Sequence, residues 1–366
     1  MTDRAERWDF PELRTGRLVV RTPVPSDAEA LWRRRDNPAV ARFQNWTLPY
    51  PRQKAEDAVA HCADVGGPSV DQWWMATVTE ATADDEVGTV VEVVAGMVVG
   101  DLAIHITSAG RAAEIGYSFD PNRQGLGYAA EAVGALVDYL FDQVGVSRVE
   151  ATLHPDNIGS AQVLERTGFL FEGRTRLSCW VGDGDDAENS DDALYGLTRD
   201  DLEAWRNRPT EEPNDVRLIE IDPDNQIAVS ELETHHSQKR LVATVLESYA
   251  DAMFARPKHG QARVPWLRAI EADGDLAGFM MATLPSTNDP DVYLWRLLID
   301  RRHQRRGIGH RAVQELEKVG VEAGAEAIRV TWAEGRGTPE PFYLGLGFEP
   351  TGQRPDGEVE GRKALP

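Results

Sequence analysis

The chain has 366 residues, of which 41% are hydrophobic and 27% charged, and its formal net charge is −22. That length and composition suit two or three packed globular domains, and so negative a chain is a poor general ligand for nucleic acid, whose binding rests on neutralising phosphates. The two cysteines, Cys62 and Cys179, exclude a disulfide framework and a multi-cysteine metal site, and they fit a reducing cytoplasm.

The first six residues lack the apolar core of a secretory signal, and the most apolar stretch, 87–99, is short and contains Glu92, so neither export nor a membrane span is expected. Residues 18–21 read as a strand and 26–35 as a helix capped by Ser26 or Asp27 and ended by Asn37-Pro38. A helix over 52–62, strands over 73–78, 90–94 and 96–104, and a strand over 114–119 follow. After Gln124-Gly125-Leu126-Gly127-Tyr128-Ala129 comes a helix over 129–141, with Val133, Leu136, Val137 and Leu140 on one face. A strand over 149–153 and a helix over 160–167, stopped by Gly168-Phe169, complete this half. The acidic run 183–192 reads as a solvated hairpin tip or loop, with a part in attracting the substrate as the alternative, and the tryptophans, Trp73 and Trp180 among them, read as core or pocket walls.

Residues 209–215 contain two prolines and no apolar anchor, so the expected division is 1–208, a linker over 209–215, and 216–366. Beyond it the pattern predicts a strand over 216–221, mostly helix over 225–256, a hairpin over 265–271 and 275–284, and a strand over 293–299. Gln304-Arg305-Arg306-Gly307-Ile308-Gly309 then leads into a helix over 310–321, a strand over 327–332, and a short helix ending in Gly347-Phe348.

The two halves superpose as sequence. Gln124 and Gln304 are 180 residues apart, as are Gly127 and Gly307, and Ala129 and Gly309, while the two Gly-Phe pairs are 179 apart. One such motif is weak evidence, but two with the same elements downstream indicate a duplicated fold. A strand running through a glycine turn into a helix presents backbone amides to an anion, so each turn is a candidate phosphate site.

This constellation resembles the GNAT superfamily of acetyltransferases over about residues 14–205 and 216–366. The first half is similar to ribosomal-protein alanine acetyltransferases, through Thr15-Gly16-Arg17-Leu18, Glu114-Ile115-Gly116-Tyr117, the turn with Glu131, and Asn157 with Ser160. The second half resembles bacterial diamine and spermine/spermidine acetyltransferases, through Ala277-Gly278-Phe279-Met280, Tyr293-Leu294-Trp295-Arg296 and a terminal segment with Glu358. The resemblance implies two tandem α/β folds, each with a mixed sheet that splays open between its fourth and fifth strands. It implies acetyl-CoA as co-substrate and no metal. The pantetheine arm would pair with Tyr117 to Phe119 and Leu297 to Ile299, and would meet Asn157 and Ser160. The pyrophosphate would lie on Gln124, Gly125, Leu126, Gly127, Tyr128 and Ala129, and on Gln304, Arg305, Arg306, Gly307, Ile308 and Gly309. A duplicated chain can also supply its own pseudo-dimer partner.

Amine acetylation needs a base for the ammonium proton, donors for the thioester oxygen and an acid for the leaving thiolate. Tyr343, four residues before Gly347, matches the family's acid, and a packed aromatic is the plainer reading; its counterpart Leu164 cannot donate a proton. Glu114 is the candidate base of the first half, or else an exposed or ion-paired strand residue. Tyr293, Glu334 and Glu358 are the candidates of the second. Arg301, Arg302, Arg305, Arg306 and Arg311 form a basic cluster suited to CoA phosphates, whereas Arg336 departs from the family asparagine. Trp295 is expected to line a cleft for a cationic amine. The acceptor expected is a small cationic amine, polyamine-like or antibiotic, with a peptide N-terminal amine as the alternative. A reading of another class makes one or both halves acyl-CoA-sensing or structural.

Overall fold

The structure is a computed structural model that describes residues 7–81, 96–107, 110–182, 187–255, 264–287, 289–335 and 337–366. The expected strand over 90–94, part of the acidic run, and Arg336 lie outside the described residues. The chain forms two compact units, Met1–Arg206 and Asn207–Pro366.

In the first unit, strands β1 (Leu13–Arg14) and β2 (Leu18–Arg21) precede helices α1 (Ala28–Arg35), α2 (Pro38–Ala41) and α3 (Arg52–Val65). Strands β3 (Trp73–Glu80), β4 (Val98–Thr107) and β5 (Ala112–Phe119) lead into α4 (Tyr128–Tyr139), then β6 (Arg148–Leu153), α5 (Ile158–Arg166), β7 (Leu170–Val181), β8 (Glu188–Thr198) and α6 (Arg199–Arg206). The sheet order is β1-β2-β3-β4-β5-β6-β8-β7. All neighbours are antiparallel except β5 and β6. The apolar stripe of α4 packs as its 3.6-residue period requires: Val133, Leu136, Val137 and Leu140 are all 0% exposed.

The second unit contains β9 (Val216–Glu220), α7 (Gln226–Ser230), α8 (Val245–Met253), β10 (Pro265–Ala272), β11 (Asp275–Thr283), β12 (Val292–Ile299), α9 (Ile308–Glu322), β13 (Ala327–Trp332), α10 (Glu340–Gly345), β14 (Glu349–Pro350) and β15 (Val359–Ala364). Its order, β14-β15-β13-β12-β11-β10-β9, reproduces that of β7-β8-β6-β5-β4-β3-β2. The duplication read from glycine spacing is therefore a duplication of topology, and each half is a mixed α/β sheet.

The mostly helical stretch expected over 225–256 forms two helices, α7 and α8. Between them the Glu233 amide donates to the buried Asp300 carboxylate at 3.2 Å, and the Glu233 carbonyl accepts from the Arg301 amide at 2.8 Å. Backbone groups drawn to a turn are withdrawn from a helical ladder.

Candidate active site

In the first unit, β5 and β6 pair over three residues only, Ala112 to Glu114 against Arg148 to Glu150. Beyond Glu114, β5 stays paired to β4 as far as Phe119, while its other edge faces a gap. A cavity of about 120 Å³ fills this gap, lined among others by Gly116, Tyr117, Leu153, Asn157, Ser160 and Leu164. It shares Gly116, Tyr117, Thr152 and His154 with a larger cavity of about 780 Å³. Tyr117 donates its phenol proton to the Ser160 carbonyl at 2.9 Å, and burial pushes its pKa well above the usual phenol value. Asn157 caps α5 by accepting from the Ser160 amide at 3.2 Å. Beneath β5, Asp101 accepts from Arg34 Nε at 3.0 Å and from Ser118 Oγ at 2.9 Å, which ties α1 and β4 to the strand.

The turn after β5 has the form a phosphate cradle needs. Gly125 and Gly127 have φ of 79° and 84°, the left-handed region that glycine enters without strain. A Cβ on Gly125 would meet nothing within 4 Å. Gln124 donates its side-chain amide to the carbonyl of Phe119 at 3.3 Å, and Gln304 does the same to Ile299 at 3.0 Å. The repeated glutamine thus closes the turn on its own strand. Arg17 reaches the turn from before β2: it donates to the Leu126 carbonyl at 2.9 Å and to Glu131 Oε2 at 2.7 Å, and its guanidinium lies 4.8 Å from the centroid of the Tyr128 ring. Open glycines, the start of α4 and a half-exposed guanidinium together fit a pyrophosphate-bearing group.

Glu114 stands where the parallel ladder ends and lines the larger cavity. Its carboxyl is held above the usual range, chiefly by burial and further by the charges of Glu150 and Asp192; the hydroxyl of Thr152, 3.2 Å from Oε1, and His105 act in the opposite sense. His105, its cross-strand partner, stacks on Trp73 with ring centroids 5.1 Å apart, and its Nδ1 is buried with no hydrogen-bond partner. The half-exposed Trp73 and Trp180, with Phe43, give the cavity an aromatic wall, and Asp192 and the Arg34-paired Asp101 add two carboxylates to Glu114 while Arg35 and Lys54 contribute positive charge.

The second unit repeats the splay, since β12 and β13 pair only from Val292 to Leu294. Its turn differs. Arg305 sits at φ 66°, where the first unit has Gly125. Gly309 packs against the Phe342 ring, 3.4 Å from where its Cβ would be, and Ile308 is in the core. The basic cluster is largely engaged within the chain: Arg302 with Asp300 at 2.9 Å, Arg301 with Glu233 at 3.7 Å, Arg306 with the Glu211 carbonyl at 2.7 Å, and Arg311 with the carbonyls of Pro213 and Asn214. Arg305 remains exposed. Tyr343 is 7% exposed, stacks on Trp332 at 5.4 Å and meets Phe348 edge-on, so it is placed as a packed core aromatic. Burial, with Tyr293 and Glu358 nearby, pushes its phenol pKa far up and makes it a weaker acid. Tyr293 itself bonds Thr331 across the ladder, and Glu334 is exposed in an ion pair with Arg354 at 2.6 Å. Leu297 and Ile299 pack on the main core of this unit, while Trp295 joins the separate cluster around Val229 and Val245.

Structure therefore assembles Glu114, Tyr117, Asn157, Ser160 and the first turn around one splayed strand, and Phe119 anchors that strand in the core. Sequence reasoning assigned no role at this turn to Arg17, although the motif Thr15-Gly16-Arg17 was visible. Asp192, in the acidic run, and the tryptophans Trp73 and Trp180, read as core or pocket walls, were not joined in one cavity, because nothing local brings β3 to the β7–β8 hairpin. Among the described residues no group of three or more His, Cys, Asp or Glu could hold a metal ion, and no helix is long and apolar enough to cross a membrane.

Residues 17–170 match the acetyltransferase (GNAT) domain, and residues 220–348 match the acetyltransferase (GNAT) family. An uncharacterized N-acetyltransferase of Bacillus licheniformis, p20, is 31% identical over 164 residues, covering 45% of this chain and 85% of that protein. YoaA of Bacillus subtilis, also an uncharacterized N-acetyltransferase, is 27% identical over 46% of this chain and 87% of its own length. The solved structure of Mycobacterium smegmatis RimJ in complex with CoA-disulfide is 24% identical and covers 50% of this chain and 83% of that one, with a TM-score of 0.40.

Proposed function

The chain belongs to the GNAT family of acetyltransferases and is an acetyl-CoA-dependent N-acetyltransferase; from that premise, we propose that its first half acetylates a primary amine held in the 780 Å³ cavity, with Glu114 taking the amine's proton. The observation that carries this reading is the position of Glu114, a carboxyl of raised pKa at the point where β5 leaves β6 and two cavities meet.

Bound acetyl-CoA supplies an activated acetyl thioester. The chain's part is to hold the phosphates on the amides of the first turn and Arg17, to leave the open edge of β5 for the pantetheine amides, and to keep the amine beside Glu114. A raised carboxyl pKa brings the base closer to that of the ammonium it must deprotonate. The nitrogen forms the new bond to the acetyl carbon as the carbon–sulfur bond breaks. Of the two protons the nitrogen loses, one leaves on Glu114 and one with the thiol. Leu164 offers no proton where the family has its acid, so the second passes through water.

Glu114 and Asp192, the lining carboxylates apart from the Arg34-paired Asp101, lie with an aromatic wall and suit an ammonium group. Arg35 and Lys54 in the same cavity oppose a long polycation, so one amine on an apolar or acid-bearing body fits better than a polyamine. The half-exposed Trp73 and Trp180 could equally hold a peptide's first side chains, which keeps a peptide N-terminal amine as the second reading. Cytoplasmic acetyl-CoA is the expected donor. A screen of CoA release over amines of both kinds, run on wild type and Glu114→Gln, tests the reading: amine-dependent turnover that Glu114→Gln retains in full would remove Glu114 from its role, and no turnover on any amine would remove the proposed acceptor class.

A further inference from the structure

The two turns are mates in the repeat, yet the segments that cover them carry opposite charge. In the first unit Arg17 Nη2 lies 3.4 Å from where a Cβ on Gly127 would stand. In the second, Glu212 takes that place, its Oε1 3.3 Å from the corresponding position on Gly307. The helix residue that locks each segment is inverted as well. Glu131 of α4 accepts from Thr15 Oγ1 at 2.5 Å and from Arg17 Nε at 2.7 Å. Arg311 of α9, 180 residues on, donates to the carbonyls of Pro213 and Asn214. Arg306 is 7% exposed and donates Nε to the Glu211 carbonyl at 2.7 Å, with Nη1 on His303 at 2.9 Å. A guanidinium beside a glycine turn attracts a phosphate; a carboxylate beside one repels it. Of the arginines that could offset the repulsion, Arg306 and Arg311 are already bonded to main-chain oxygens, Arg301 and Arg302 are paired with carboxylates, and Arg305 is left exposed.

We propose that residues 211–214 are a built-in occupant of the second turn, with Glu212 standing where a pyrophosphate would lie, so that each chain binds acetyl-CoA once, in its first half. The inference rests on the acetyl-CoA reading of the first turn. It also accords with Phe342 closing on Gly309 in the second turn.

Calorimetric titration of CoA into the full-length chain tests it. One site per chain is expected, lost in Gly127→Glu and unchanged in Gly307→Glu. Both substitutions strain a left-handed residue, so thermal melts accompany them, and a second pair of variants does not depend on the glycines. Arg17→Gln is expected to weaken CoA at the single site at least tenfold. Glu212→Ala is expected to expose a second, weaker site that Gly127→Glu does not abolish. Two sites in the wild-type chain, or binding reduced by Gly307→Glu, would overturn the inference and leave the acetyl-CoA reading standing. A Glu212→Ala chain that still binds once would overturn Glu212 as the occupant. No CoA binding by the wild-type chain would overturn the acetyl-CoA reading itself, and the count of one with it.

Discussion

Replacing Glu114 with glutamine preserves side-chain shape and the contact with Thr152 Oγ1, 3.2 Å away, but leaves no group able to take a proton. General-base catalysis typically contributes about 10²–10⁴ in rate. Asp192 and cavity water remain as poorer acceptors, so the lower part of that range applies, a fall in kcat/KM of about 10²–10³, or about 3–4 kcal/mol of barrier at 1.36 kcal/mol per decade. The pH profile should separate this from simple damage. Because burial raises the Glu114 pKa, wild-type kcat/KM should drop tenfold per pH unit below a value displaced upward from the ordinary glutamate range, and the variant should lose that limb. Stability carries the opposite sign. A carboxyl with a higher pKa folded than unfolded favours the fold while protonated, and that advantage is lost as pH rises from the unfolded value through the folded one. Above that window Glu114→Gln should melt higher than wild type; below it the two should coincide. The assay is initial-rate CoA release across pH, with thermal melts in the same buffers. An unchanged rate with the acid limb intact would refute the base role, and a variant less stable at neutral pH would refute the electrostatic account.

Arg34→Ala should destabilise the first unit by about 3–5 kcal/mol in denaturant unfolding, because it strands the Asp101 carboxylate, itself 5% exposed, without its partner. Leu136→Ala, at a position 0% exposed on the buried face of α4, should cost about 2–5 kcal/mol by the same measurement, through lost burial and a residual cavity. Arg17→Gln should raise KM for acetyl-CoA more than it lowers kcat, since the guanidinium touches the turn and not the cavity that holds the amine. In contrast, Tyr343→Phe should leave kcat nearly unchanged and stability within about 1 kcal/mol, because the ring packs in the core and its phenol is made a weaker acid by burial; a large loss of kcat would restore Tyr343 as the acid.

Much of the fold was legible because its signals are local. The α4 stripe follows from a 3.6-residue period. The turns follow from glycines that must enter the left-handed region, and the second hairpin from Asp273-Gly274 between alternating strands. The break between α7 and α8 within the mostly helical stretch was not, because the groups that hold it, Asp300 and the Arg301 amide, are about seventy residues away in sequence. Glu114 was a candidate from its place on a strand, but only the ladder's end after three pairs shows that the strand opens beside it.

By itself the sequence determined the duplication, the order of elements and the pair of glycine turns, since spacing, periodicity and backbone stereochemistry act over a few residues. Only tertiary structure decided how those turns differ. Arginines counted along the chain made the second turn the more basic of the two, but charge acts through distance in space. Folding brings Arg17 to the first turn and Glu212 to the second, and turns Arg306 and Arg311 onto carbonyl oxygens. The count of cations along the sequence therefore does not tell which side chains stand beside each turn.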